Sequence, residues 1–245
     1  MSLPDPLGWA VLIGGALIGS TIGGVAGFGA GIILLPLLAW TVGIRASVPV
    51  LTVTMFLGNL SRVYWSRGEI DRRVVVRFLA GAVPATALGA VLYAGAASAS
   101  LRWIIGIFLI AAVPLRRVLL SRHVTVRLRH FPALGVGFGM LSGLVVSTGP
   151  VLAPFFLAYG LRRGAFIATE GVCTIGMHIA RGAIFAGLAL ITWRTLAVGV
   201  VLGAFMFAGA WLSRRMLDRM TDRVFLTLIE VLLVLMGLQF LLISR

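Results

Sequence analysis

The sequence contains no lysine, a single cysteine and few charged residues of any kind. Charged side chains make up 11% of the 245 residues, whereas soluble domains contain about 25%. Apolar side chains make up 60%, and the 31 glycines come in addition. The lone Cys173 excludes an internal disulfide framework and a metal site built from cysteines. Because so little polar surface is available to face water, the composition predicts an integral membrane protein.

Motifs of familiar catalytic chemistry are also absent. The chain has no HExxH, GxSxG or CxxC pattern, so we predict neither an enzyme nor a bound metal or cofactor. All 21 basic residues are arginines, and they stand against 7 acidic residues for a formal charge of +14. These arginines lie between apolar runs rather than on one folded face. We therefore expect them to orient the protein with its basic loops in the cytoplasm, and we do not expect them to bind nucleic acid.

Six stretches are apolar over roughly the 20 residues that a helix needs to cross a bilayer. They comprise residues 47–66, 74–96, 101–120, 165–190, 193–213 and 224–243. Two further stretches, 7–43 and 131–160, are too long for one straight helix and are interrupted by glycine and proline. We expect each of these two to form a pair of shorter helices that meet at a break, either as a hairpin or as a re-entrant pair.

The two halves of the chain repeat several residues at a constant offset of 119. The matched pairs are Asn59 with His178, Arg62 with Arg181 and Gly68 with Gly187. The pattern predicts an all-α polytopic membrane protein with two repeats, 1–120 and 131–245, joined by a basic cytoplasmic linker at 121–130. Each repeat would hold one broken or re-entrant helix pair and three transmembrane helices. Because this makes an odd number of crossings, the second repeat would be inverted, a common plan for secondary transporters.

The helix breaks are the first candidates for a binding site. Glycines are frequent in residues 23–31, at the first break, and residues 147–150 read Ser-Thr-Gly-Pro at the second. Non-helical backbone inside a membrane is tolerated only against protein or a water-filled cavity, and helix N-termini favour anions. The alternative is that the glycines only allow close helix packing. The predicted contacts of an anionic substrate at the breaks are Gly29, Gly31, Ser147, Thr148 and Gly149.

The stretch 165–190 carries ionisable residues on one helical face. Glu170, Thr174, His178 and Arg181 follow one another at intervals of four, four and three residues, which places them on one side of a helix. A charged group in a bilayer costs at least about 2–3 kcal/mol, so this face must turn towards protein or water. A direct Glu170–Arg181 bond is impossible because about 16 Å of helix separates the two residues. The alternatives are a functional site and a structural ion pair between Glu170 and another arginine.

The matching stretch of the first half supplies a second arginine. We predict that Arg62 and Arg181 hold an oxyanion from opposite sides, because a guanidinium donates a planar pair of hydrogen bonds. Asn59 and His178 would add neutral donors, and Thr54 would add a hydroxyl. The alternative for Arg62 is that its side chain extends to the membrane surface from near the end of its span.

The run GFGAG at residues 27–31, followed by Pro36, and its weaker repeat at residues 147–149, followed by Pro154, resemble the TauE/SafE family of sulfite exporters and related permeases. The resemblance covers nearly the whole chain. It implies a carrier in the bacterial inner membrane for sulfite, organosulfonates or similar sulfur-containing or carboxylate anions. The sequence differs from the family pattern at the second break, where a glycine-rich run is usual, and at Glu170, where a small residue is expected.

The residues and the resemblance together predict a secondary transporter of a small anion bound between the two repeats. The alternative is an anion channel with an arginine-lined filter. No ATP-binding motif is present, so any coupling must come from an ion gradient or from the gradient of the substrate. Glu170 and His178 are the candidates for a coupling proton, and His178 is favoured because histidine titrates nearest to neutral pH. The other predicted partners are the lipid bilayer and, as an open alternative, a second copy of the chain.

Overall fold

The computed structural model describes residues 3–26, 30–121, 125–146, 148–161 and 163–216. Within these ranges the chain is helical and has no strand. The α-helices of this part are α1 (Pro6–Ala26), α2 (Ala30–Thr41), α3 (Ile44–Ser66), α4 (Arg72–Gly95), α5 (Ser98–Ser121), α6 (Phe131–Val145), α7 (Gly149–Ala158), α8 (Arg163–Gly187) and α9 (Trp193–Met216). The predicted span 224–243 lies outside the described residues.

Three helices of the described part are long and apolar enough to cross a membrane. They are α3 over Ile44–Tyr64, α4 over Arg72–Gly95 and α9 over Trp193–Trp211. These three agree with spans predicted from the sequence. α8 is just as long, with 25 residues, but it carries the ionisable face on which the site is built. The arrangement is that of a helical membrane protein.

The first of the two long interrupted stretches forms a hairpin of helices. α1 and α2 run antiparallel, because Gly8 near the start of α1 faces Thr41 at the end of α2, and Gly19 faces Ala30. A Cβ atom at Gly19 would lie 2.9 Å from the Ala30 Cα, so the two backbones touch there. The prediction of two shorter helices is confirmed for this stretch.

The second interrupted stretch forms a hairpin of a different kind. The ring centroids of Phe131 and Tyr159 lie 5.2 Å apart, and those of Phe138 and Phe155 lie 5.5 Å apart. α6 and α7 therefore also run antiparallel, but aromatic side chains rather than backbones join them. α6 ends at Val145, and the next residue, Val146, has a φ of 64° that turns the chain out of the helix. Two shorter helices are present here as predicted.

The antiparallel pair of α3 and α8 lies at the centre of the fold. Its polar contacts run from Thr52 with Arg181 at one end to Arg62 with Glu170 at the other. α9 packs alongside α3 in the same direction, and α4 packs alongside α8 in the same direction. The first half of the chain therefore contributes α3 to the central pair, and its α4 packs against α8 of the second half. The second half contributes α8 to the pair, and its α9 packs against α3 of the first half.

Helices α4 and α6 pack with their backbones in contact. Gly139 faces Ala82, and Gly143 faces Gly89. A Cβ atom at Gly139 would lie 2.8 Å from the Ala82 Cα, and one at Gly143 would lie 2.6 Å from the Gly89 Cα. Small residues at such positions let helices in a membrane gain van der Waals contact along their length. Glycine at these positions therefore serves helix packing.

Adding one methyl group at Gly139 is expected to destabilise the protein. In Gly139→Ala the new Cβ meets backbone that cannot move aside, and separating the helices costs about 1–3 kcal/mol. Gly137→Ala is the matched control, because nothing lies within 4 Å of a Cβ at that position of the same helix. Thermal unfolding in detergent should show a lower Tm for Gly139→Ala than for Gly137→Ala. Equal Tm values would contradict the close contact of α4 with α6.

Candidate functional site

The side chain of Arg181 is the most deeply buried charged group at the centre of the described fold, with 0% of its surface exposed. Its Nε donates to the Thr52 hydroxyl at 2.8 Å. Its Nη1 donates to the carbonyl and, at 3.1 Å, to the hydroxyl of Ser142. Its Nη2 donates to Nδ1 of His178. Arg181 of α8 thus holds α3 and α6 against its own helix.

All these partners of Arg181 are uncharged. Thr52 and Ser142 offer hydroxyl and carbonyl dipoles, and no acidic side chain in the described part of the chain pairs with the guanidinium. A buried charge without a counter-charge is costly in a protein interior. The site therefore has the electrostatic character of a receptor for an anion. Thr52 and Ser142 were missed as site residues, since only the packing of α3 and α6 on α8 brings them to Arg181.

Asn59 links this end of the site to Arg62. The Asn59 Oδ1 accepts a hydrogen bond from Arg62 Nη1 at 2.8 Å, and its Nδ2 donates to the carbonyl of Met55 at 2.8 Å. This fixes the orientation of the amide, so that Nδ2 faces Nε2 of His178 at 3.3 Å. Since the guanidinium of Arg181 has no acceptor, His178 meets a donor at each of its ring nitrogens.

Glu170 forms an ion pair with Arg62. The Glu170 Oε2 accepts from Arg62 Nη2 at 2.8 Å, and its Oε1 accepts from the Thr174 hydroxyl at 2.9 Å. The side chains of Arg62 and Glu170 are 11% and 4% exposed, so Arg62 does not extend to the surface. The pairing of Glu170 with an arginine elsewhere in the chain, an alternative raised from the sequence, is present. The Arg62 Nε is buried without a hydrogen-bond partner among the described residues.

These contacts form one continuous polar network between the two halves of the chain. It runs from Thr174 through the Glu170–Arg62 pair and the Asn59–His178 contact to Arg181. The four α8 residues that the spacing placed on one face all belong to it. Asn59 and His178 connect the two arginines, because Arg62 donates to Asn59 and Arg181 donates to His178.

Of the other predicted site residues, Thr54, Gly31, Thr148 and Gly149 are in the described part of the chain and form none of the hydrogen bonds of this network given above. The Thr54 hydroxyl donates to the Val50 carbonyl at 3.0 Å and to the Gly199 carbonyl of α9 at 3.3 Å. Gly31 is buried in the first turn of α2. The remaining two described residues, Thr148 and Gly149, lie at the start of α7. The positions outside the described residues are Gly29 and Ser147.

Comparison with known proteins gives one match. The family model described as Sulfite exporter TauE/SafE matches residues 11–240, and the chain belongs to this family. No curated protein and no solved structure matches the chain. The family consists of membrane transporters of sulfite or related anions rather than enzymes. The family and the apolar helices identify a multi-pass membrane protein.

Removing Arg62 alone should destabilise the protein more than removing both members of the ion pair. In Arg62→Gln the Glu170 carboxylate stays buried without its counter-charge, at a cost of about 3–5 kcal/mol. In Arg62→Gln/Glu170→Gln neither charge remains, so part of this loss should be recovered. Unfolding in mixed detergent and SDS micelles measures the difference.

The control for this cycle is Arg45→Gln. Arg45 is exposed and donates to the Ser98 hydroxyl and to the Ala96 carbonyl, each at 3.1 Å, so its loss should change the free energy of unfolding little. A double variant no more stable than Arg62→Gln would show that the ion pair does not form.

Proposed function

We propose that this TauE/SafE family member is a secondary transporter that binds one small oxyanion at Arg181, between the two halves of the chain. Sulfite, an organosulfonate or a small carboxylate is the substrate. The observation that carries the proposal is the fully buried guanidinium of Arg181, whose partners are all neutral. The partner residues come from both halves, since Thr52 precedes Arg181 by 129 positions.

Hydroxyl groups suit this role beside the guanidinium. Thr52 and Ser142 accept hydrogen bonds from Arg181. The Thr52 hydroxyl proton is donated to the Val48 carbonyl at 2.7 Å, and it would have to leave that carbonyl to reach an oxyanion, whereas a hydroxyl such as that of Ser142 can also donate. An anion that enters would replace these neutral acceptors on the guanidinium with charged oxygens, which form stronger hydrogen bonds. Arg181 would then hold the anion while Thr52 and Ser142 turn their hydroxyl groups towards it.

The enclosure of the site favours a carrier over a channel. Arg181 and His178 are buried under packed helices, so an anion reaches the site only when helices α3, α6 and α8 move. A filter in an open pore would need arginines exposed to water along a path through the molecule. Alternating access, in which one half moves against the other, fits the closed conformation better.

An inverted repeat accounts for the helix directions. α3 and α8, which correspond at the offset of 119 residues, run antiparallel at the centre. The α3–α9 and α4–α8 contacts both join parallel helices, as an inverted pair of halves requires. These directions support repeats at 1–120 and 131–245 with a basic linker in the cytoplasm of a bacterial cell, whose inner membrane holds the protein.

The hydrogen bonds weigh against the proton coupling expected from the sequence. A second proton on His178 would lie on Nδ1 and set a donor against the Arg181 guanidinium, which has no acceptor. A proton on Glu170 would leave Arg62 as an unpaired buried cation. The interior of a cell is electrically negative, by about 100 mV. The free energy of an anion therefore falls by about 2.3 kcal/mol per charge when it leaves the cell. Export therefore needs no proton, and we propose that transport is uncoupled.

Arg181→Lys should weaken anion transport strongly in a protein that still folds. The planar guanidinium donates hydrogen bonds to Thr52, Ser142 and His178. A lysine ammonium is a compact point charge and cannot donate to all three in that geometry. Uptake of labelled sulfite into proteoliposomes should fall at least tenfold, on the order expected for the loss of one charge-assisted hydrogen bond. Arg45→Lys, on the exposed end of α3, is the control and should transport normally. Normal sulfite uptake by Arg181→Lys would contradict the proposal that Arg181 binds the anion.

Transport of a permanently ionised anion should move no protons. Methanesulfonate is charged at any physiological pH, so a change of internal pH in proteoliposomes reports protons carried by the protein. Wild type and His178→Gln are both expected to show methanesulfonate flux without a pH change. A pH change in the wild type that disappears in His178→Gln or Glu170→Gln would establish the coupling that the sequence predicts.

A further inference from the structure

We propose that Glu170 determines the charge of the transported anion by acting as a built-in anion on Arg62, so that the site selects monoanions. The inference rests on the proposed function, and it adds a substrate class and a specificity-determining residue. It follows from the charges that the described residues bury and from the way in which they are paired.

The buried charges of the network sum to a single positive charge. Arg62 and Arg181 each carry one positive charge, and Glu170 carries one negative charge. His178 stays neutral, because its Nδ1 accepts from the Arg181 guanidinium and so carries no proton. Of the acidic residues in the described ranges, Glu170 is the buried one; Asp5, Glu69 and Asp71 are exposed or half-buried.

The pairing divides the two arginines into one that is neutralised and one that is not. The Glu170 carboxylate lies 2.8 Å from Arg62 and is held there by Thr174. Arg181 has the matching position in the second half but only neutral partners. The position 119 residues before Glu170 is Leu51, which is fully buried, so the second arginine has no equivalent carboxylate.

A monoanion at Arg181 therefore makes the whole site electrically neutral. A dianion would leave one net negative charge buried among packed helices, and such a charge is costly. Removing the charge of Glu170 would raise the site to two positive charges and shift the preference towards a dianion. Glu170 lies about 16 Å of helix away from Arg181, a distance at which one unit charge changes the relative affinity for a dianion about fivefold.

Methanesulfonate and sulfate are matched probes for this inference. Both are tetrahedral sulfur oxyanions of similar size, but they carry one and two negative charges. Isothermal titration calorimetry on the full chain in detergent gives the ratio of their Kd values for each variant. We expect wild type to bind methanesulfonate more tightly, and Glu170→Gln to shift the ratio at least fivefold towards sulfate.

Two further variants keep the net charge of the site and serve as controls. Glu170→Asp retains the carboxylate, and Arg62→Gln/Glu170→Gln removes one charge of each sign, so both should keep the wild-type ratio. If Glu170→Gln does not fold, these two variants still test the inference. A changed ratio of the methanesulfonate and sulfate Kd values in either variant would overturn it. Glu69→Gln, on the exposed turn before α4, controls for loss of a carboxylate far from Arg181.

The outcomes separate the inference from the proposed function. If wild type and Glu170→Gln bind the two probes with the same ratio, or if wild type prefers sulfate, charge selection by Glu170 is wrong while an anion site at Arg181 stands. If wild type binds neither probe and no sulfite, the anion site itself is wrong. A shift that appears in Glu170→Gln and not in Glu69→Gln supports the inference.

Discussion

The desolvation of the ionisable face of α8 is the constraint on which the packing around the site depends. Glu170 and Arg181 can lie inside a membrane only if neighbouring helices satisfy them. α3 does so at both ends of the face, with Arg62 for the carboxylate and Thr52 for the guanidinium. A slip of α3 by one helical turn, about 5.4 Å, would leave both charges without these partners. The polar network therefore fixes the register of the two halves as well as forming the candidate site.

Much of the fold follows from hydropathy and from the residues that interrupt it. The lengths of the apolar runs gave α3, α4 and α9, and glycine and proline within two longer runs marked the hairpins. The polar face of α8 could also be predicted from the sequence, because polar residues at helical spacing in an apolar stretch lie on one side of the helix. The offset of 119 paired Asn59 with His178, and these two residues do meet across the α3–α8 contact.

The partners across helices could not be predicted in the same way, because they depend on how the helices pack. The sequence alone did not choose between an anion contact and a surface position for Arg62. It also did not identify Arg62 as the partner of Glu170, because that pairing depends on the register of α3 on α8. Ser142 meets Arg181 only because glycines let α6 approach α4 and lie beside α8. The hydrogen-bond roles of His178 depend on the orientation of the Asn59 amide, which Arg62 determines. Proton coupling at His178 therefore stays a prediction that the sequence alone could make only from the residue type and its position next to Arg181.

The two halves resemble each other in position but not in charge, and this difference bears on mechanism. Arg62 bonds to Asn59 three residues before it, and Arg181 bonds to His178 three residues before it, so the local arrangement is the same. Glu170 breaks the equivalence by neutralising only Arg62. In a carrier whose halves exchange roles as it opens to either side, two equivalent arginines would offer two competing anion positions. Under the proposed function, a carboxylate bound to one of them would leave a single position with a constant charge, and the substrate anion would complete the network in either direction of transport.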